Sequence, residues 1–255
     1  MLLNYTIAGQ GEPLILMHGL FGSLENLGVI AKQLQQQFQV ISIDLPDHGR
    51  SPHSNQFSYQ QYAQSIVDTL DSLQIGECHL LGHSMGGKVA MTIALSNAKR
   101  VKKLLVADIA PVKYEPRHDN VFKALTAVDL DNISSRTEAD KQMAQYVEEI
   151  GVRQFLLKSL EKTDTGFRWR FNLNMLQRDY ESLSAGMDSS NSFDKPTLFV
   201  KGGNSNYISE AHQQAILQLF PRANAKIIND TGHWLHAEKP FVFAGIAERF
   251  FKDEH

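Results

Sequence analysis

The chain is poor in the residues that announce extracellular, membrane or nucleic-acid proteins. It has 255 residues and one cysteine, Cys78. A lone cysteine excludes an intramolecular disulfide and any zinc site built from cysteines alone. Cys78 opens an apolar run, which reads as a buried structural thiol rather than a nucleophile. No apolar stretch reaches the roughly 18 residues that a membrane-crossing helix needs. The first ten residues show no basic stretch leading into a long apolar run, so a secretory leader is not expected. Lys plus Arg number 25 and Asp plus Glu 28, a formal net charge of −3. A chain so near neutrality has no global basic field with which to hold nucleic acid. Neither internal repeats nor low-complexity tracts occur. The expectation is a cytoplasmic protein with small-molecule partners, no nucleic acid and no membrane, its oligomeric state left open.

Short apolar runs alternate with amphipathic helical stretches. Leu14–Met17, Val40–Ile43, His79–Leu81, Leu104–Ala107, Thr197–Val200 and Lys226–Ile228 read as buried strands. Between them, Leu27–Gln37, Tyr62–Leu73 (stopped by Gly76), Met85–Leu95, Glu210–Phe220 and Phe241–Phe251 read as helices. From Val112 to about Phe193 no strand is expected, only helical stretches such as Thr137–Glu149 and Val152–Leu160. This pattern predicts an α/β fold: a mostly parallel central sheet flanked by helices, formed by residues 1–111 and 194–255, with a helical cap inserted at 112–193. Ligands bind at the carboxyl ends of such strands, so the residues just after each apolar run are the candidates.

Gly82-His83-Ser84-Met85-Gly86 lies between a strand and a helix, the context in which G-x-S-x-G presents a nucleophilic serine. The turn is too tight for side chains two residues either side of the serine. A serine that merely caps a helix is the plain alternative. His18-Gly19-Leu20-Phe21-Gly22 follows the first run. Acyl transfer places negative charge on a carbonyl oxygen, and two backbone N–H groups can hold it: that of Met85 and that of Leu20, with Phe21 the alternative donor. His233, after the last strand, is the candidate base in the chain order serine, acid, histidine. His236 stands three residues on, but no clustered carboxylate or cysteine accompanies the pair, so no metal is expected. For the acid, Asp108 follows Leu104–Ala107, whereas the loop Gly202-Gly203-Asn204-Ser205 has no carboxylate before Glu210. Asp108 is therefore the candidate, with Ser205 a possible auxiliary. In the cap, Phe122, Phe155, Leu156, Trp169 and Phe171 are candidates to line an acyl pocket, as are Phe21 and Trp234 from the sheet domain. The plain alternative for each is core packing. Arg168 and Arg170, and Lys113, Arg117 and His118 at the cap entrance, either meet an anionic group of a substrate or form a solvated, ion-paired face.

With these residues in view the chain resembles the α/β-hydrolase superfamily over nearly its whole length. The matching stretches are DLPDHGRS at Asp44–Ser51, GHWLHAEKP at Gly232–Pro240, HGLFGS at His18–Ser23 and GHSMGGK at Gly82–Lys88. DIAPV at Asp108–Val112, FLLKSL at Phe155–Leu160, WRFNL at Trp169–Leu173 and GGNS at Gly202–Ser205 complete the set. Together they are similar to the small bacterial esterase and acyl-CoA thioesterase subgroup and to a mitochondrial abhydrolase of animals. The resemblance implies hydrolysis of carboxylic esters or acyl thioesters without a cofactor. Ser205 departs from the superfamily's common pattern, in which an aspartate ends G-x-x-D; Asp108 matches an alternative acid position one strand earlier. A carbon–carbon bond hydrolase or perhydrolase would keep the same three residues. A dehalogenase would need a carboxylate where Ser84 stands, and a non-catalytic binding protein would have lost one of the three.

Overall fold

The computed structural model describes residues 1–252. Seven strands form one sheet: β1 (Tyr5–Ala8), β2 (Glu12–Met17), β3 (Phe38–Ile43), β4 (Cys78–His83), β5 (Val101–Ala107), β8 (Thr197–Gly202) and β9 (Ala223–Ile228). Their spatial order is β1-β3-β2-β4-β5-β8-β9, and only β1 runs antiparallel to its neighbour. The remaining parallel pairs require crossovers, supplied by α1 (Gly28–Leu34), α2 (Tyr59–Ser72), α3 (Met85–Ser96) and α9 (Gln213–Leu219).

Side chains alternate along the strands and so divide the core in two. Ile15, Met17, Ile41, Ile43, Leu80, Leu104, Val106 and Phe199 face the side covered by α2, α3 and α9. Leu14, Leu16, Val40, Leu81, Leu105, Ala107, Leu198 and Val200 face α1 and the closing helix α11 (Pro240–Lys252), which follows the one-turn α10 (Leu235–Glu238). Both faces being buried explains why the strands read as continuous apolar runs.

The chain passes from β2 outward to β3, then back across β2 to β4. Strand order thus reverses between β2 and β4, and a crevice opens there at the strands' carboxyl ends. The loops that carry Leu20 and Ser84 flank this crevice.

Between β5 and β8 lies the insert: α4 (Asp119–Ala127), α5 (Arg136–Met143), α6 (Ile150–Leu157), β6 (Leu160–Thr163), β7 (Gly166–Trp169), α7 (Leu173–Arg178) and α8 (Tyr180–Ser184). The expectation of a strand-free insert is wrong. Strands β6 and β7 form an antiparallel hairpin with Leu160 opposite Trp169 and Thr163 opposite Gly166. Gly166 has φ +152°, and with Asp164-Thr165 it makes the turn. Four-residue strands are too short to show a period against a helical background. Other boundaries also shift. The helix expected at Thr137–Glu149 ends at Met143, and that at Tyr62–Leu73 begins at Tyr59. Its terminator is Gln74, with φ +57°, rather than Gly76. Strand β1 is half exposed at the sheet edge and lacked an apolar run to betray it.

Candidate active site

Ser84 has φ +54°, a left-handed conformation that a side-chain-bearing residue adopts only when its surroundings impose it. The surroundings are tight. A Cβ on Gly82 would strike the backbone of Gly86, and a Cβ on Gly86 would strike the carbonyls of Met17 and His18. The Ser84 N–H donates to the Ala107 carbonyl at 2.9 Å, and its own carbonyl accepts from Gly87 and Lys88 at 2.8 and 3.1 Å. The serine is thereby held at the N-terminus of α3, where backbone N–H groups lack intrahelical partners and the helix dipole favours negative charge.

Asp108, at the end of β5, is likewise left-handed (φ +51°) and fully buried. One carboxylate oxygen, Oδ1, accepts from the Gly202 N–H at 3.0 Å. The other, Oδ2, accepts from the Ser205 hydroxyl and from His233 Nδ1, the latter at 2.8 Å. An ionised carboxylate only accepts, so Nδ1 carries the ring proton and Nε2 presents a lone pair. That Nε2 lies 2.9 Å from Ser84 Oγ. Residues 84, 108 and 233, from three different strand ends, thus form one continuous hydrogen-bonded chain. Ser205 joins it as a donor to the carboxylate. The loop after β8 therefore contributes a hydroxyl to an acid that comes from β5.

Around this chain the histidines are kept neutral by burial. His83 Nε2 donates to the His233 carbonyl at 2.9 Å, bracing the loop that carries the imidazole. Burial drives its basicity well below the ordinary histidine value, and the neighbouring rings of His236 and His233 add to the effect. His236 is lowered to about 3, chiefly by burial, and its Nδ1 has no hydrogen-bond partner among the described residues. His18 accepts from the Leu45 N–H through Nε2 at 3.0 Å and bridges to the Gly19 carbonyl through Nδ1 at 2.8 Å. It thus shapes the loop that carries Leu20 and Phe21. Phe21 itself has φ +61°.

Ser84 opens onto two cavities. The larger, of about 340 Å³, is lined on the sheet-domain side by Leu20, Phe21, His233 and Trp234, and on the insert side by Val121, Val147, Val152, Phe155 and Leu156. The smaller, of about 50 Å³, lies toward Tyr59, Met85, Ile109 and Leu183. Of the aromatic residues proposed for the pocket, Phe21, Phe155 and Trp234 line the larger cavity. Phe122, Trp169 and Phe171 do not. Phe122 packs edge-on against Phe21 with centroids 5.4 Å apart, and Trp169 stacks on Phe171 at 5.3 Å. They join the buried core that the insert shares with the sheet domain, where large rings yield most by burial.

The charged candidates divide as well. Arg168 pairs with Glu161 across the β6–β7 hairpin at 2.7 Å, and Arg170 with Glu25 at 3.2 Å. Neither is among the residues lining the two cavities at Ser84. Lys113 sits 3.9 Å from Glu181 on the surface. Arg117 and His118 line both cavities. His118 is lowered to about 4, first by burial, and bonds the Tyr180 hydroxyl at 2.5 Å.

Two residues near the site were not weighed from sequence. Lys88 is buried in α3 and donates to the carbonyls of Val112 and Ala185, residues at the two ends of the insert. Without a carboxylate partner, burial lowers it to about 8. Tyr207 stacks on His233 with ring centroids 3.9 Å apart. Its place two residues after Ser205 was the signal available in the sequence.

The α/β hydrolase fold family matches residues 12–240. With this sheet and these strand-end loops, the chain belongs to that family, among hydrolases of esterase and lipase type. Esterase YbfF of Escherichia coli (strain K12) is 42% identical over 245 residues, covering 96% of this chain and 94% of that protein. The sn-1-specific diacylglycerol lipase ABHD11 of Danio rerio is 39% identical over 92% of this chain and 77% of its own. Among solved structures, a marine microorganism esterase superposes with a TM-score of 0.95 at 36% identity, covering 98% of this chain and 99% of that one.

Proposed function

We propose that this protein is a serine hydrolase that cleaves short-chain carboxylic esters or acyl thioesters through an acyl-enzyme. The observation that carries the reading is the unbroken chain from Ser84 Oγ to His233 Nε2 at 2.9 Å and from His233 Nδ1 to Asp108 at 2.8 Å.

Ser84 attacks the substrate carbonyl while His233 Nε2 takes its proton. The tetrahedral oxyanion is held by the N–H groups of Met85 and Leu20, with Phe21 the alternative donor on the same loop. His233 then delivers the proton to the departing alcohol or thiol, leaving the acyl group on Ser84. Water, deprotonated by the same imidazole, attacks the acyl-enzyme and restores Ser84. Asp108 fixes the imidazole's tautomer and stabilises the imidazolium. The Gly202 N–H and the Ser205 hydroxyl both donate to Asp108 and fix the orientation of its buried carboxylate. Residues 112–193 act as the cap, closing the site over the substrate.

The two cavities support a bent substrate with one arm in each. The space of about 50 Å³ admits a group the size of one or two methylenes, the larger of about 340 Å³ a longer arm. That difference favours short chains on one side of the scissile bond. The names carried by the relatives, esterase and lipase, support ester cleavage over carbon–carbon cleavage.

The test is turnover of p-nitrophenyl esters and acyl-CoA thioesters of graded chain length by wild type and Ser84→Ala. Hydrolysis that peaks at short chains and vanishes in the variant is expected. A variant as active as wild type overturns the reading.

A further inference from the structure

An imidazole bonds through its two nitrogens in the ring plane, so the hydrogen bonds of His233 anchor it along the line joining them. They set the ring's position along that line but resist rotation about it only weakly, because both acceptor and donor distances survive a tilt. Something must hold the faces. One face lies on Tyr207, with centroids 3.9 Å apart and planes inclined by 19°. Among the described residues no other ring approaches His233 so closely; His83 and Trp234 are 4.8 and 6.1 Å away.

Tyr207 is itself fixed from several sides. Its N–H donates to Ser205 Oγ at 3.2 Å, the oxygen whose proton goes to Asp108. Its carbonyl accepts from the Tyr114 hydroxyl at 2.5 Å, which in turn accepts from the Ala110 N–H at 2.9 Å. Its free face is covered by Arg117, whose guanidinium carbon lies 4.7 Å from the ring centroid. That guanidinium donates to Asn206 at 2.7 Å and makes no ion pair among the described residues. Guanidinium, phenol and imidazole therefore form a three-layer stack, with the outer layer supplied by the insert.

We infer that Tyr207 is the positioning residue for His233, and that Arg117 seats it from the insert. The inference rests on the base assignment made above. The phenol face opposes tilting of the imidazole, so Nε2 stays aimed at Ser84 Oγ. It also offers an electron-rich surface to the imidazolium that forms during proton transfer. Both effects act on the chemical step and are read in kcat; Tyr207 and Arg117 also line both cavities, and any contact with substrate is read separately in KM. Any aromatic six-membered ring supplies both effects and an aliphatic side chain of similar bulk does not. The loop after β8, which lacks a carboxylate, thus serves the base twice, through Ser205 on the acid and through Tyr207 on the ring.

The experiment compares wild type, Tyr207→Phe, Tyr207→Leu and Arg117→Leu by steady-state kinetics and by NMR of the histidine ring protons, with His233→Gln assigning the resonance. In wild type the ring current of Tyr207 displaces the His233 Cε1–H resonance upfield. Tyr207→Phe keeps that displacement and stays within about twofold of wild-type kcat. Tyr207→Leu loses the displacement and about tenfold in kcat, whatever its effect on KM. Arg117→Leu moves both readouts in the same direction by less. Three results overturn the inference: no displacement in wild type, a Tyr207→Leu loss confined to KM, or a Tyr207→Phe loss equal to that of Tyr207→Leu. The wild-type resonance decides the stack even if a variant misfolds. It also separates this inference from the assignment of Ser84 as nucleophile, which fails only if Ser84→Ala remains active.

Discussion

The two halves of the insert meet the sheet domain in different ways. Residues 159–187 are fastened by polar contacts. Ser159 donates to the Phe21 carbonyl at 2.8 Å, and Asn172 donates through its side chain to Asp47 at 3.0 Å and through its backbone to the Asp47 carbonyl at 2.9 Å. Asp179 accepts from the Phe57 N–H at 2.8 Å, and the Ala185 carbonyl accepts from Lys88. Residues 119–158 send no hydrogen bond or ion pair to the sheet domain among the described residues. They touch it through rings, Phe122 on Phe21 at 5.4 Å and Phe155 on Trp234 at 5.7 Å. Yet this second half supplies the outer wall of the larger cavity. Directional bonds fix a geometry, and apolar contact fixes only proximity. On the proposed function, the half that registers the site is the bonded one, and the half that would fit the acyl chain is only packed.

The same division runs through the whole molecule, and variants test it. The largest effects belong to the bonded centre. Ser84→Ala is expected to lower kcat/KM about 10⁴-fold or more, and Asp108→Asn by about 10³- to 10⁴-fold, with folding retained. Ser205→Ala, which leaves Asp108 its bonds from Gly202 and His233, should cost no more than about tenfold. Next comes the fastened half. Asn172→Ala removes a donor from the fully buried Asp47, so it should lower unfolding free energy by about 1–3 kcal/mol, read from denaturant melts. Val152→Ala in the packed half should change Tm little and widen the range of acyl chains accepted; a loss of stability equal to that of Asn172→Ala would erase the contrast.

Acid stability gives a further measure. His236 and His48 are each lowered to about 3 by burial, so between pH 6.5 and 3 the unfolded chain binds more protons than the folded one. Stability should therefore fall as pH drops through that window, and Tm against pH should show it. His236→Leu should flatten the slope. An unchanged slope would mean that His236 does not contribute. The smallest difference is dynamic: amide exchange should be faster in 119–158 than in 159–187.

The sheet was legible because both its faces are buried, leaving apolar runs that end at chemistry: Met17 before His18, His83 before Ser84, Ala107 before Asp108. Strand β1 was not, because an edge strand with exposed Tyr5 and Ile7 carries no such run. Ser84, His233 and Asp108 could be chosen from their places in the chain. The pocket could not. Phe122, Trp169 and Phe155 are alike in type and separated only by packing, which turns the first two into the core between insert and sheet. Tyr207 was overlooked for another reason, since a ring stacked face to face leaves no periodic pattern, and its place two residues after Ser205 was the one hint. Neither could the sequence tell that Lys88, in a motif chosen for its serine, ties both ends of the insert together.

The central claim, that the bonded centre forms an acyl-enzyme on Ser84, is tested most directly by trapping it. Wild type mixed with a slowly deacylated p-nitrophenyl ester, quenched in acid and digested, should carry one acyl group on the peptide containing Ser84, and Ser84→Ala none. An acyl group on another residue, or turnover by wild type with no labelled peptide at any quench time, would contradict the account.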